Sequence, residues 1–416
     1  MIEKEVNNKA GGPLQGIRVL DFSRLYPGPL GTMLLADMGA EVIKIEDPAQ
    51  PDYVRNFPPF IKTESAAYLA FNRSKKSLAL SCREEEGKKI FYDLVKTADV
   101  VVEQFRPGVM AGMGLGYGQA CKKNPKIIYV SLTGYGQQGP YADHAGHDLN
   151  YIGYAGILGL TLSDDLEPTL PGPQMADVAG GAYMLVIACL SALFARGRSG
   201  KGQQVDLSML DGVLPLMTLQ MAQYWAAPEA LKDERLPLSG GLASYGTYRC
   251  SDGKFVALAA LEPKFWEKFC DWVEKPLWKD KIYAMGAECR QLKKDVGSLF
   301  QTRPRDEWVQ ESARRDICLT PVLGLDEIEK DPHLQQREMF ITQPHPCCGN
   351  IKGIGVPIKF KGTPAVVQSP PPILGQDTAA VLEDLGYSPD RIERLHFDKV
   401  IFDDSCGNRN SEKNTI

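Results

Sequence analysis

Five short apolar runs set among helical stretches constrain this chain more than any other feature. IRVLDF within LQGIRVLDFS (14–23), EVIKIED (41–47), SLAL (77–80), DVVVEQF (99–105) and KIIYVSLTGYG (126–136) have the length and apolarity of buried strands. PGPLGTMLLADMGA reads as a turn and a helix closed by Gly39, and another helix runs from Glu84 to about Thr97. Strands alternating with helices imply a mostly parallel sheet covered on both faces. The fold class is α/β, doubly wound.

At 416 residues the chain exceeds what one hydrophobic core usually serves, so two domains are expected. VAGGAYMLVIACLSALFA (178–195) is nearly long enough to span a bilayer, but it is the only such run. It reads as an all-round apolar helix buried in a large core, and no membrane is expected. The polar, Pro/Gly-punctuated WAAPEALKDERLPLSGG reads as a linker, and YGTYRCSDGKFVALAA as two strands around Ser251-Asp252-Gly253. Helical stretches follow to about residue 330. A proline-rich passage (357–374) then leads to two short helices broken at Gly386. The boundaries expected are 14–225 for the first part of the large domain, 226–340 for a smaller α+β domain, and 341–416 for a return segment.

Composition narrows function by exclusion. A net charge of -5 without a basic, aromatic-interleaved cluster argues against nucleic acid. The ten cysteines contain no CxxC, so neither a zinc site nor a disulfide framework is indicated and no metal is expected. Reduced thiols, a polar lead (MIEKEVNNKAGG) that reads as disordered rather than as a targeting segment, and an NTI terminus unlike SKL point to the cytoplasm. SRLYPGPLG after the first strand lacks GxGxxG spacing, GMGLGYG at 112–118 follows no strand directly, and no Walker loop is present. Dinucleotide and ATP chemistry are disfavoured.

Three residues could carry chemistry. His147, in AGHDLNYIGYAGIL, suits a core imidazole, a metal ligand or a proton-transfer base. Asp177, directly before the apolar helix, is either an N-cap or an ionised base or nucleophile favoured by the helix terminus. Glu262, in ALEPKFW, is at its simplest a helix-start carboxylate.

In order along the chain, RVLDFSRLYPGPLGTMLLADMGAEVIKIE, VVEQFRPGV, GHDLNY, ADVAGG, RSGKGQQVDLSMLDG and LASYGTYRCSDGKFVAL resemble the family III coenzyme A transferases, the CaiB/BaiF superfamily. Within it the chain is most similar to the α-methylacyl-CoA racemase branch, from about residue 14 to about residue 400. The resemblance implies a Rossmann-like large domain made from both chain ends, a smaller α+β domain and an interlocked homodimer. It implies His147 and Asp177 as two catalytic bases and Glu262 as the group that orients the histidine. A CoA groove would involve Leu80, Ser81, Cys82 and Arg83, then Gln104, Phe105 and Arg106, and the segment Gly146, His147, Asp148, Leu149, Asn150 and Tyr151. No cofactor is implied beyond the CoA thioester, which is the substrate. Transferase members keep the aspartate as nucleophile and commonly lack the histidine. Racemases often have arginines where this chain has Asp47 and Gly112, and PDYVRNFPPFIKTES (52–66) is longer than in typical racemases, more like the transferases. Phosphate anchoring is therefore expected to draw on Arg55, Arg73, Lys75 or Lys76.

Overall fold

The computed structural model describes residues 11–163, 165–228 and 235–403. The N-terminal lead up to residue 10 and the NTI terminus lie outside the described residues. The chain divides into two compact units, one of residues 1–155, 171–215 and 335–416, the other of residues 156–170 and 216–334. Residues 156–170 thus group with the second unit, a return that a linear boundary at 225 does not contain.

The first unit is built on a seven-stranded sheet. Its strands are β1 (Arg18–Asp21), β2 (Glu41–Glu46), β3 (Lys75–Leu80), β4 (Val100–Glu103), β5 (Ile128–Thr133), β6 (Gln204–Ser208) and β7 (Ile401–Phe402). Their order is β7-β3-β2-β1-β4-β5-β6, parallel throughout except that β7 runs antiparallel to β3. This is the Rossmann strand order, which reverses direction between β1 and β4. The central strands read as unbroken apolar runs because both faces are covered. Val19, Val100 and Val102 point into one core with Leu35 and Leu185 of the covering helices. Leu20 and Val101 point into the other, with Phe91 and Leu94. The alternation is the two-residue period of a strand. Helix α1 (Pro27–Asp37) follows β1, with proline starting its first turn.

Buried ion pairs link the segments around β1, β2 and β3. Lys75 pairs with Asp21 at 3.0 Å, Lys44 with Asp52 at 3.0 Å, Arg55 with Glu46 at 2.7 Å and Arg73 with Asp37 at 2.7 Å. Lys76 is more exposed and pairs with Glu41 at 2.5 Å. The four cations expected to anchor phosphate are therefore committed to carboxylates, three of them in the interior. Residues 72–77 thus belong largely to a core, with only Lys76 exposed.

Two further expectations are corrected. The long helix, Ala176–Ser199, is long and apolar enough to cross a membrane by length and composition alone, yet only 33% of its most apolar window is buried within the chain. Tyr183, Ile187, Leu190 and Phe194 form an exposed stripe at helical spacing, so the helix is not enclosed on all sides. Among the described residues eight cysteines are free thiols, but Cys347 is disulfide-bonded, against the reading of reduced thiols throughout.

The second unit has a three-stranded antiparallel sheet in the order Leu319–Val322, Phe255–Ala259, Tyr245–Arg249. Its hairpin turns at Gly253, whose φ of 80° suits glycine. Trp266, Phe269, Phe300 and Trp308 fill its core, and helices Pro263–Trp272 and Gly286–Phe300 contribute most of them.

Candidate active site

A cleft of about 450 Å³ opens in the first unit at the carboxyl ends of β1, β4 and β5. Open α/β sheets bind ligands where strand order reverses, because diverging loops leave a crevice there. Leu25 and Pro27 reach it from the turn after β1, and Gln104, Phe105 and Arg106 from the turn after β4. Leu132 to Tyr135 enter from the end of β5, and Met209 from beyond β6.

His147 and Asp177 both line this cleft. His147 is the residue before helix α2 (Asp148–Tyr154), in extended backbone. Its N–H donates to Asn150 Oδ1 at 3.0 Å, which fixes how the chain enters the helix. The core-imidazole reading fails, since the residue is exposed. Among the described residues no group of three or more His, Cys, Asp or Glu side chains is arranged to hold a metal.

Asp177 lies in the first turn of the long helix, which opens with π-helical backbone over Ala176–Tyr183 and continues as helix α3 (Met184–Ser199). The capping role proposed for it belongs to another residue. Asp148 Oδ1 accepts from Ala176 N–H at 2.6 Å and from Asp177 N–H at 3.0 Å. Asp148 thereby satisfies amides that a helix start leaves open. Asp177 is left to face the cleft, where burial, and then the like charge of Asp148, push its carboxyl up to about 7.

The glycines of ADVAGG explain how the π-helical turn is seated. A Cβ on Gly180 would stand 2.3 Å from the Met209 carbonyl oxygen and 2.9 Å from Val213 N. A Cβ on Gly212 would meet the Gly180 carbonyl at 2.3 Å. Helix α4 (Met209–Val213) and the Asp177 turn therefore touch backbone to backbone, which only glycine permits.

The residues expected along a CoA groove fall into distinct settings. Leu80 and Cys82 are buried, and Ser81 is part-buried where β3 ends. Arg83 is exposed but engaged, bonding Asp47 at 2.8 Å and Gln50 at 2.9 Å. Gln104 accepts from Gly28 N–H at 3.1 Å and so ties the two turns at the strand-order reversal. Phe105, Arg106, Gly146, Asn150 and Tyr151 line the cleft, Leu149 is exposed, and the Tyr151 hydroxyl donates to the Gly146 carbonyl at 2.6 Å. Tyr135 meets Tyr151 edge to face at 5.1 Å. Glu262 belongs to the second unit, where it is the exposed residue before helix Pro263–Trp272 and makes no capping bond.

Sequence reasoning missed Tyr53, Tyr135, Met209 and the capping role of Asp148. The one signal available was positional: loops at the carboxyl ends of the strands flanking β1 are where such a sheet binds ligands.

A sequence model of CoA-transferase family III matches residues 14–378. Human alpha-methylacyl-CoA racemase is 33% identical, covering 93% of this chain and 97% of its own. Succinyl-CoA:glutarate CoA-transferase of Mus musculus is also 33% identical, over 94% and 90%. A CAIB/BAIF family protein from Brucella suis superposes with a TM-score of 0.78 at 31% identity, over 90% of this chain and 100% of that one.

Proposed function

The chain belongs to CoA-transferase family III, and on that premise we propose that it racemises or epimerises 2-methyl-branched acyl-CoA thioesters by two-base proton transfer. The observation that carries the reading is a pair of proton-carrying side chains, His147 and Asp177, brought to one cleft by separate elements. Asp177 is poised near neutrality, where a carboxylate both accepts and returns a proton readily.

In this reading one side chain removes the weakly acidic proton at the α-carbon, leaving an enolate whose oxygen needs hydrogen-bond donors. The other returns a proton to the opposite face, and the configuration inverts. The roles exchange for the other enantiomer. The family resemblance assigns to Glu262 the support of the imidazole as it takes on charge, by the logic of a catalytic triad. The chemistry calls for no metal and no cofactor besides the CoA carried by the substrate. The working form is an interlocked homodimer in the cytoplasm, with the exposed stripe of the long helix against the second copy rather than against lipid.

A second reading is favoured by the transferase relative at equal identity. There an Asp177 oxygen attacks the thioester carbonyl, the C–S bond breaks, and CoA leaves as the thiolate while an aspartyl anhydride forms. The thiolate then attacks the aspartyl carbonyl, which releases the first acid as its carboxylate and leaves an enzyme-bound thioester. A second carboxylate displaces the thiolate from it, and the thiolate attacks the second acyl group to regain CoA and free Asp177. The two are separated by incubating purified protein with acyl-CoAs in deuterated water, with and without free acids. Deuterium entering the α-position without any acid supports racemisation. CoA transfer that requires an acid, without exchange, overturns it. In the racemase, His147→Ala and Asp177→Asn each abolish inversion, while residual exchange survives for opposite enantiomers.

A further inference from the structure

The turn after β1 is held in a conformation that its residue type resists. Leu25 has a φ of 63°, in the left-handed region that non-glycine residues avoid. Buried bonds keep it there. Lys44 Nζ donates to the Ser23 carbonyl at 2.9 Å, and Leu25 N–H donates to Asp52 Oδ1 at 3.1 Å. Ser23 N–H donates to Asp21 Oδ1 at 2.9 Å. Lys44, Asp52 and Asp21 are fully buried. Strain held by its surroundings clusters where a side chain has to be aimed.

The side chain aimed here is Arg24. Its guanidinium carbon stands 4.9 Å from the centre of the Phe105 ring, and Phe105 lines the cleft together with Leu25, Tyr53 and Arg106. Among the described residues Arg24 makes no hydrogen bond and no ion pair, although it is only part-exposed. Arg55 and Arg73, further along the chain, each hold a buried carboxylate. A guanidinium resting on an aromatic face keeps its edge donors for a planar or tetrahedral oxyanion.

The geometry points to Arg24 as an anion-binding residue of the cleft, which takes an oxyanion of the substrate next to Arg106. That oxyanion is a phosphate of CoA or a carboxylate on the acyl group or acceptor. The inference rests on the reading that this cleft takes an acyl-CoA, but not on whether the reaction is racemisation or transfer.

Calorimetric titration of the full-length protein with two probes tests it. Free CoA has phosphates and no carboxylate, and glutarate has carboxylates and no phosphate. Arg24→Gln is expected to weaken one of the two by about ten- to hundredfold, the size of a lost charge-assisted contact. Loss for CoA assigns the phosphate, and loss for glutarate the carboxylate. A wild-type protein that binds CoA, with Arg24→Gln matching it for both probes, overturns the role of Arg24 alone. A wild-type protein that binds neither probe overturns the acyl-CoA reading with it. Thermal melts check that Arg24→Gln is folded. If it is not, Arg24→Lys keeps the charge and stem without the fork, and unchanged affinity in that variant overturns the proposal.

Discussion

In the proposed reaction Asp177 concentrates the chemistry, because on top of its burial one neighbour acts on it in two ways. Asp148 fixes its backbone through the shared Oδ1 and raises its carboxyl through charge. A base must be ionised to accept a proton, so α-proton exchange should rise as pH increases through about 7. Asp148→Asn keeps an amide oxygen for the two N–H groups but removes the charge, so the inflection should move to lower pH. An inflection that stays in place would mean that burial alone sets it. The same shift has a thermodynamic consequence. The folded state holds a proton on Asp177 up to about 7, whereas the unfolded chain releases it near the ordinary aspartate value of 3.8. Stability therefore falls as pH rises between these values and stays reduced above them. Asp177→Asn escapes that loss, and should be more stable than the parent at pH 8 by about 2 kcal/mol and little different at pH 4, measured by denaturant titration.

At the scale of elements, the seat of Asp177 depends on backbone contact between the π-helical turn and α4. Gly180→Ala forces its Cβ against the Met209 carbonyl, and should cost about 1–3 kcal/mol and most of the activity. Gly197, on the same long helix, has open space at its Cβ position. Gly197→Ala should instead add about 0.5–1 kcal/mol, because alanine loses less conformational freedom in a helix. Equal thermal shifts for the two variants would dismiss the close approach as the reason for the glycine. The contrast also shows what was legible in the sequence. β1, β4 and β5 could be read because strands covered on both faces become continuous apolar runs. Leu319–Val322 and the hairpin Phe340–His345/Gly349–Ile354 could not, since they carry Pro321 and Pro344 and are polar edge strands. His147 and Asp177 stood out through motif resemblance. Arg24 did not, because its position depends on a strained turn fixed by Lys44 and Asp52, residues far enough along the chain that no local pattern links them. The pairings of Arg73 and Lys75 were hidden for the same reason: their carboxylate partners, Asp37 and Asp21, come from other segments.

For the whole molecule the decisive feature is the surface left apolar by the long helix. Tyr183, Ile187, Leu190 and Phe194 share one face, and Phe194 is 65% exposed. Large contiguous apolar patches on a folded chain mark a surface that something covers. Lipid and a second copy of the chain are the two covers this composition allows, and they predict different behaviour in detergent-free buffer. The dimer reading expects sedimentation equilibrium to give twice the mass of one chain down to micromolar concentration. Stability should then rise with protein concentration, as it does when folding and association are linked. Placing charges in the stripe, as in Ile187→Asp combined with Phe194→Asp, should shift the protein toward monomer or aggregate and depress the melting temperature. The first unit's buried core does not include these side chains, so the charged variant's monomer should keep its fold. Its binding of CoA would then separate damage at the interface from damage at the cleft. A parent protein that sediments as a stable, well-folded monomer overturns the dimer. A parent that floats with neutral phosphatidylcholine vesicles as a monomer assigns the stripe to lipid instead.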